Sequence, residues 1–378
     1  MSRGCFTFYE FFAGGGMARL GLGDEWRCLF ANDFDPVKAA TYRANFPDGD
    51  AHLREGDVWM LQPSDLPGRA DLAWASSPCQ DFSLAGARAG LSGGRSSAFY
   101  GFWRLIVGLA NQRRAPPIVV IENVAGLLTS HGGKDFEALA GSLAALGYRF
   151  GALEIDAAAF LPQSRPRVFI IASREPPPLG LTGPGPWQTR AVRAAFGRLP
   201  SALASSWIWW RAASPPSRNS DLAAVLEDDD AVAWHAPERT ARWLALMNPL
   251  HRARLETARA GGEPAAGALF RRMRVEDGRR VQRAEVRFDG LAGCLRTPRG
   301  GSSRQAIVVA DQASIRTRLL TPREAARLMG LPDAYQLPKV ATSALMVVGD
   351  GVAAPVVRWL AEHLLEPLLA GSAAMAAE

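Results

Sequence analysis

Cysteine, lysine and long apolar runs are scarce in this 378-residue chain, and each scarcity excludes something. Only four cysteines occur, Cys5, Cys28, Cys79 and Cys294. They lie far apart, with no CxxC pair and no Cys/His cluster, so neither a disulfide framework nor a zinc site is expected, and no metal is called for. No stretch reaches the ~20 uninterrupted apolar residues that span a bilayer. The start MSRGCFTFYEFF lacks the charged, then apolar, then small-residue order of a signal peptide. A membrane role is therefore not expected, and a reducing cytoplasm, where a cysteine can be a working thiol, is. Lys38, Lys134 and Lys339 are the only lysines among 43 basic residues, against 37 acidic ones. Nearly all the positive charge is arginine, whose planar fork suits phosphate, so a net charge of +6 favours a phosphate-bearing partner.

With 48% hydrophobic residues, the chain can hold two domains, or one domain with an insertion. Residues 1–175 alternate strand and helix patterns. FTFYEFF leads through Ala13-Gly14-Gly15-Gly16 into Met17-Ala18-Arg19-Leu20, a strand, a tight turn and a helix. Leu29–Asp33 reads as a second strand, after which Asp35 as N-cap and Pro36 at the first helical position start a helix through Asn45. The short runs Asp71–Ala75, Ile118–Ile121 and Arg167–Ala172 read as buried strands, and Phe136, Leu139, Leu143 and Leu146 as a helical stripe ending at Gly147. Repeated βα units predict an α/β, Rossmann-like domain, a mostly parallel sheet with helices on both faces.

Pro176-Pro177-Pro178 breaks that pattern. From 176 to 220 there are five arginines and no acid, with Trp207, Trp209 and Trp210 between them, and from 250 to 300 twelve arginines against six acids. This basic, aromatic middle, 176–304, is expected to be a smaller inserted domain that touches nucleic acid. Order returns near Ile307, with a capping box in Thr321-Pro322-Arg323-Glu324 and an amphipathic helix through Val356, Leu360, Leu364 and Leu368. Residues 305–378 are expected to complete the first domain.

Phe12-Ala13-Gly14-Gly15-Gly16 lies where the first strand meets the first helix. Glycines there let a cofactor approach the backbone, and the helix start favours a negative group. A dinucleotide fingerprint would want glycine at position 19, where the chain has Arg19, so a nicotinamide reading is disfavoured. The next strand ends in Asn32-Asp33-Phe34, an acid where ribose hydroxyls would lie and an aromatic on which adenine could stack. Asp57, in Gly56-Asp57-Val58, could accept from an adenine amino group. The blander alternative for all of these is a turn-rich βαβ unit with ordinary caps. Ser77-Pro78-Cys79-Gln80 follows the strand Asp71–Ala75 at its carboxyl end, where open α/β sheets place active sites, and a cysteine on such a loop is a candidate nucleophile. Glu122-Asn123-Val124 ends the next strand, so Cys79 and Glu122 are expected to face one pocket, with Glu122 either a functional or a helix-capping acid. Gln163-x-Arg165-x-Arg167 adds two arginines that an extended segment points to the same side.

Together these elements resemble the DNA cytosine-carbon-5 methyltransferases of bacterial restriction-modification systems. Six motifs stand in that family's order: Phe12-x-Gly14-x-Gly16, Pro78-Cys79-Gln80, Glu122-Asn123-Val124, Gln163-x-Arg165-x-Arg167, Arg318-x-Leu320-Thr321-Pro322-Arg323-Glu324 and Gly349-Asp350-Gly351-Val352. The resemblance implies an enzyme that uses S-adenosyl-L-methionine to methylate carbon 5 of a cytosine flipped out of double-stranded DNA. It implies cofactor contacts from Phe12, Ala13, Gly14, Gly15, Gly16, Asp33, Phe34, Asp57, Val58, Pro78, Asp350 and Val352. It makes Cys79 the thiolate that adds to carbon 6 and Glu122 the acid at ring nitrogen 3. Arg165 would hold the base's carbonyl side and the thiolate, Arg167 would support the loop, and Asn123 would fix the Pro78-Cys79 backbone. DNA contacts are expected from Gln80, Ser83, Arg95, Arg296, Thr297 and Arg304. A loop over 81–101, hinged on Gly86, Gly90, Gly93, Gly94 and Gly101, is expected to close on the duplex. A monomer is expected, serving beside a companion restriction endonuclease without a stable complex.

The chain departs from the family pattern at several points. Glu10 replaces the Asp before the glycine turn, Met17 its last glycine, Asp33 the more usual Glu, and Asp350 the more usual Asn. The family's Thr-Leu pair falls on Cys294-Leu295 or is shifted to Thr297. Two other readings share parts of the pattern. One is a transfer-RNA cytosine-5 methyltransferase, against which the long Arg/Trp-rich insertion speaks. The other is a catalytically silent DNA-binding regulator, against which the intact Cys79, Glu122 and Arg165 speak.

Overall fold

The structure, a computed structural model, describes residues 6–77, 98–215, 217–218, 220–295 and 304–377, with side chains as far as Gly371. Pro78, Cys79, Gln80, Ser83, Arg95, Arg296 and Thr297 lie outside the described residues. The chain divides into two compact units: unit 1 is Met1–Asp156, Pro166–Pro215 and Gly351–Glu378, and unit 2 is Ala157–Arg165 and Pro216–Asp350. In this division residues 176–215 go with unit 1 and 305–350 with unit 2.

Short apolar runs supply the seven strands of unit 1: β1 Phe6–Phe11, β2 Trp26–Asp33, β3 Leu53–Glu55, β4 Leu72–Ser76, β5 Ile118–Val124, β6 Arg149–Asp156 and β7 Pro166–Ser173. Their order is β3-β2-β1-β4-β5-β7-β6. The first five are parallel, while β7 runs antiparallel to both β5 and β6. The fold is of the α/β, Rossmann-like class read from the sequence. β5 is longer than its apolar run, so Glu122 and Asn123 lie within the strand and not after it.

The helices follow local signals. Between β1 and β2 runs α1 (Met17–Leu22), and α2 (Pro36–Asn45) starts where Asp35 accepts from the backbone N–H groups of Val37 and Lys38, at 2.8 and 3.2 Å. Such a cap is worth ~1 kcal/mol. In α3 (Ala98–Asn111) a face of Phe99, Phe102, Trp103, Leu105, Ile106 and Leu109 is buried, with the Phe102 ring 4.8 Å from that of Phe11. Gly101, expected as a hinge, is buried inside α3. A Cβ there would lie 2.7 Å from Val58 Cγ1, so this glycine serves close packing and not motion. A fourth helix, α4 (Lys134–Ala145), buries Phe136, Leu139 and Leu143 on the stripe read from the sequence.

The tryptophans assigned to nucleic-acid contact are corrected by the fold. Trp207 and Trp210 are 8% and 1% exposed. Trp210 donates its indole N–H to the Ile171 carbonyl at 3.0 Å, and Trp207 packs edge-on against Phe136 and Phe150. They belong to the interior of unit 1, where a partly buried Trp209 joins them. Residues Ala341–Gly371 form a helical stretch long and apolar enough by composition to cross a membrane, yet 67% of that window is buried inside the fold. Within it the helix Ala354–Leu360 packs on α1 so closely that a Cβ at Gly21 would lie 2.5 Å from Val357 Cβ.

Unit 2 holds a four-stranded antiparallel sheet, β11-β10-β8-β9, from β8 Ala265–Glu276, β9 Arg279–Arg287, β10 Ala306–Ala310 and β11 Ile315–Leu319. The β8–β9 hairpin turns at Asp277 and Gly278, with φ of 49° and 75°, values that the two-residue turns of twisted hairpins require. Trp243 of α5 (Pro237–Ala245) and Leu255 of α6 (Pro249–Ala260) cover Leu269, Val286 and Val308 of the sheet. The capping box read at Thr321 starts α7 (Pro322–Arg327). Its Glu324 does more than cap: it grips Arg318 through bonds of 2.8 and 2.5 Å, with the two side chains 0% and 2% exposed. The last helix of the unit is α8 (Ala341–Asp350).

Candidate functional site

β1 lies between β2 and β4, so the connections leaving β1 and β4 run to opposite sides and open a crevice at their carboxyl ends. The Phe12–Gly16 turn sits there, with φ of 57° at Phe12, 58° at Gly14 and 80° at Gly16. That is a strained value for Phe12. At Gly16 a side chain would begin 2.3 Å from Phe46 Cε2, whereas at Gly14 nothing lies within 4 Å. Gly16 is thus demanded by packing, and Gly14 leaves the backbone open to a ligand.

Asp33 holds this turn from the end of β2. One of its oxygens accepts from the Gly14 N–H at 2.7 Å, the other from the Asp35 N–H at 2.8 Å. Asn32 ties in the next strand by donating its amide to the carbonyls of Arg54 and Gly56, at 2.8 and 3.0 Å. Burial pushes the Asp33 carboxyl up from the ordinary carboxylate range. Beside it Phe34 is 74% exposed, a flat apolar surface in solvent. Asp57 is half-buried and accepts from the Trp59 N–H at 3.0 Å, while Val58 is buried under α3. Turn, aromatic and acids suit a cofactor that carries an adenosine and a short polar chain.

The departures from the family pattern have local explanations. Met17 is 1% exposed, and a Cβ at Gly351 would lie 2.1 Å from its sulfur. The bulk gained at one position is accommodated by a glycine far away in sequence. Val352 beside it is buried, and Asp350 is exposed at the end of α8 in unit 2. Glu10 is 1% exposed, and its Oε2 has no hydrogen-bond partner among the described residues. Burial pushes its carboxyl up to about 8, against the pull of Arg19 and with repulsion from Asp33.

The second part of the site lies at the ends of β4 and β5, where Ser76 pairs with Glu122. The Glu122 carboxylate is 3.1 Å from Arg167 Nε, both side chains being largely buried. Asn123 donates to the Ser77 carbonyl at 3.0 Å and accepts from the Val124 N–H at 2.9 Å. Its amide therefore fixes the residue that leads directly into Pro78-Cys79. Ser77 stands in the Ser77-Pro78-Cys79-Gln80 run with no role of its own legible there, and its partner 46 positions away supplies one.

Of the two arginines of the Gln163-x-Arg165-x-Arg167 motif, Arg167 holds Glu122. Arg165, 2% exposed, belongs to unit 2, where it donates to the carbonyls of Leu295 and Gly349 at 3.2 and 3.0 Å and approaches Cys294 Sγ at 3.6 Å. Gln163 is fully buried in the same unit, giving its amide to Leu328 O at 2.7 Å and accepting from the Leu295 N–H at 3.1 Å. The division between the two units falls between Arg165 and Pro166. Gln305 exchanges two bonds with the Gly293 backbone at 2.9 and 2.7 Å. Next to it Arg304 lines a pocket of unit 2.

Residues 6–366 match the family described as C-5 cytosine-specific DNA methylase. Among curated proteins, the Type II methyltransferase M.NlaX of Neisseria lactamica is 26% identical over 378 residues, covering 97% of this chain and 98% of that protein. M.HhaI of Haemophilus parahaemolyticus, also a Type II methyltransferase, is 25% identical over 362 residues, 94% of this chain and 93% of that one. M.BsuFI of Bacillus subtilis is 34% identical over 177 residues, 46% of this chain, which spans only 40% of that protein. Among solved structures, the Dnmt2 methyltransferase of S. pombe superposes with a TM-score of 0.59 at 17% identity, covering 96% of this chain and 99% of its own. A putative DNA modification methyltransferase encoded within an E. coli prophage gives 0.53 at 18%, covering 97% and 99%. These two structures bear on the fold alone.

Proposed function

We propose that this chain, which belongs to the C-5 cytosine-specific DNA methylase family, methylates a flipped-out cytosine in duplex DNA through a covalent adduct between Cys79 and carbon 6. The family makes it a DNA (cytosine-5-)-methyltransferase, and its curated relatives are enzymes of the Type II restriction-modification type. In this reading it protects DNA from a companion endonuclease that it does not stably bind, and acts as a cytoplasmic monomer.

Carbon 5 of cytosine is too weak a nucleophile to take a methyl group unaided. The Cys79 thiolate adds to carbon 6, forming a carbon–sulfur bond and moving an electron pair toward carbon 5 and ring nitrogen 3. A proton from Glu122 meets the charge at nitrogen 3, and the same carboxyl reads the exocyclic amine. The Phe12–Gly16 turn, Asp33, Phe34 and Asp57 would hold S-adenosylmethionine, whose sulfonium would supply the methyl group to carbon 5 and keep the carbon–sulfur electron pair as the thioether S-adenosylhomocysteine. A base then removes the carbon-5 proton and the Cys79 sulfur leaves carbon 6, restoring the ring. Arg167 orients Glu122, Asn123 anchors the backbone before Cys79, and Arg165 takes the base's carbonyl side. Extraction of the base from the stack costs roughly a few kcal/mol, supplied by protein–DNA contacts.

The observation that carries this reading is the joining of two strand ends. The Glu122–Arg167 pair at 3.1 Å and the Asn123–Ser77 bond at 3.0 Å hold an acid next to the segment that leads into Pro78-Cys79. DNA bearing 5-fluorocytosine tests it, because a carbon 5 without a proton cannot complete the elimination. The wild type with S-adenosylmethionine should give a protein–DNA band that survives denaturation, and Cys79→Ala none. No such band from a wild type that methylates ordinary DNA would overturn the covalent route.

A further inference from the structure

We propose that unit 2 carries a binding site for DNA backbone phosphate at the start of α5, built on Arg239 and Arg242 with Arg304, Trp234 and His235. The inference rests on the DNA reading above and extends it to residues outside the six motifs, of which only Arg304 was expected to touch DNA.

Two adjoining pockets share Arg239 and Arg242. The larger, about 520 Å³, is lined also by Trp234, His235, Arg304 and Glu238 over an apolar floor. The smaller, about 270 Å³, adds Arg271 and Trp243. Glu238 is the one carboxylate among the residues lining these two pockets, set against four guanidinium groups. The lining is rich in donors that lack acceptors. Trp234 Nε1, His235 Nε2 and Arg304 Nε are buried with no hydrogen-bond partner among the described residues. The N-cap of α5 is Ala236, which has no side chain able to accept from the first-turn N–H groups. An oxyanion supplies an acceptor to the exposed Arg239 and Arg242 guanidinium groups beside this uncapped helix start.

The aromatic wall is held rigidly. Guanidinium carbons of Arg316 and Arg318 lie 4.3 and 5.3 Å from the Trp234 ring centre, and each is itself anchored, Arg316 to Asp229 and Arg318 to Glu324. His235 is fixed from behind, its Nδ1 3.0 Å from Thr317 Oγ1 and its N–H on the Thr317 carbonyl at 2.9 Å. The contrast with the β8–β9 hairpin is informative. There Arg272 and Arg274 are engaged by Glu285, and Arg283 by Glu276. Arg239 and Arg242 are exposed and have no ion pair among the described residues, so their charge is available to a partner. Arg304 is also among the residues expected from the sequence to contact DNA, which makes a DNA strand the source of the anion in preference to a free nucleotide.

The double variant Arg239→Ala/Arg242→Ala in the full chain tests the site. Both side chains are exposed, so the fold is not at stake. Fluorescence anisotropy is read on two short duplexes, one carrying the methylated motif and one of scrambled sequence, between about 50 and 200 mM salt. Affinity should fall by the same factor on both, about tenfold or more, and the slope of log affinity against log salt should shrink by about 2, near one for each phosphate that loses its arginine. Arg239→Lys/Arg242→Lys should keep most of the slope. An unchanged slope in the alanine variant, or a loss confined to the motif duplex, overturns the phosphate site while leaving the methyltransferase reading intact. A wild type with no salt-dependent affinity for either duplex would instead defeat the DNA reading on which the site rests.

Discussion

Replacing Glu10 by glutamine removes one titrating proton from the interior of unit 1. Glu10 is 1% exposed, and burial pushes its carboxyl from an ordinary 4.5 up to about 8 despite the neighbouring Arg19. The folded chain therefore keeps this proton at pH values where the unfolded chain has lost it. Between those two values the native state binds one proton more, so wild-type stability falls as pH rises, by ~1.4 kcal/mol per pH unit. Summed over the window, the loss is on the order of 4–5 kcal/mol, a large part of the roughly 5–15 kcal/mol that holds a domain folded. Glutamine has nearly the same shape and no charge. Glu10→Gln should match the wild type near the acid end of the window, gain on it steadily toward the upper end, and hold a constant advantage above. Urea unfolding followed by circular dichroism, at steps of about one pH unit, reads that difference. Subtracting one protein from the other cancels groups that do not interact with Glu10, His52 among them. Parallel stability profiles would refute the burial argument. A variant that loses ground as pH rises would show Glu10 ionised and paired with Arg19.

Two further substitutions probe the two units. Trp210→Ala should cost ~3–5 kcal/mol in urea unfolding by emptying a buried site in unit 1, with no change in the salt dependence of DNA binding; a reduced salt slope would return this tryptophan to the DNA interface. In unit 2, Glu324→Ala leaves the Arg318 guanidinium buried without its carboxylate and should cost about 3–5 kcal/mol, while Arg318→Met/Glu324→Leu recovers most of it. A double variant no more stable than the single one would mean that the capping bonds, and not the ion pair, set the cost.

Much of the fold was legible where its signals are local. Asp35 and Pro36 announce a helix start within two residues, the capping box at Thr321 is complete within four, and the glycine turn follows directly on an apolar strand. What was not legible depends on partners distant in sequence. Tryptophan serves equally as core and as a base-stacking surface, and only the Trp210 bond to Ile171, 39 residues away, decides for the core. The bonds of Arg165 to Leu295 and Gly349, 130 and 184 residues away, are likewise invisible in the local sequence. β6, with Gly151, Ala152 and Glu154 in its middle, carries no clear period of its own and is held as a strand by pairing with β7. Met17 looks like a lost glycine until Gly351 is found against it. Arg239, Arg242 and Trp234 match no motif, and only the pocket that gathers them shows that they act together.

Methylation of cytosine in DNA through a Cys79 adduct is tested most directly by bisulfite sequencing of total DNA from cells expressing either the wild type or Cys79→Ala. Protected cytosines within one short motif, present with the wild type and absent with a Cys79→Ala chain that still folds and binds S-adenosylmethionine, are the predicted result. Protection that persists in Cys79→Ala, or a folded wild type that binds cofactor and leaves every cytosine in DNA unprotected, would contradict the account.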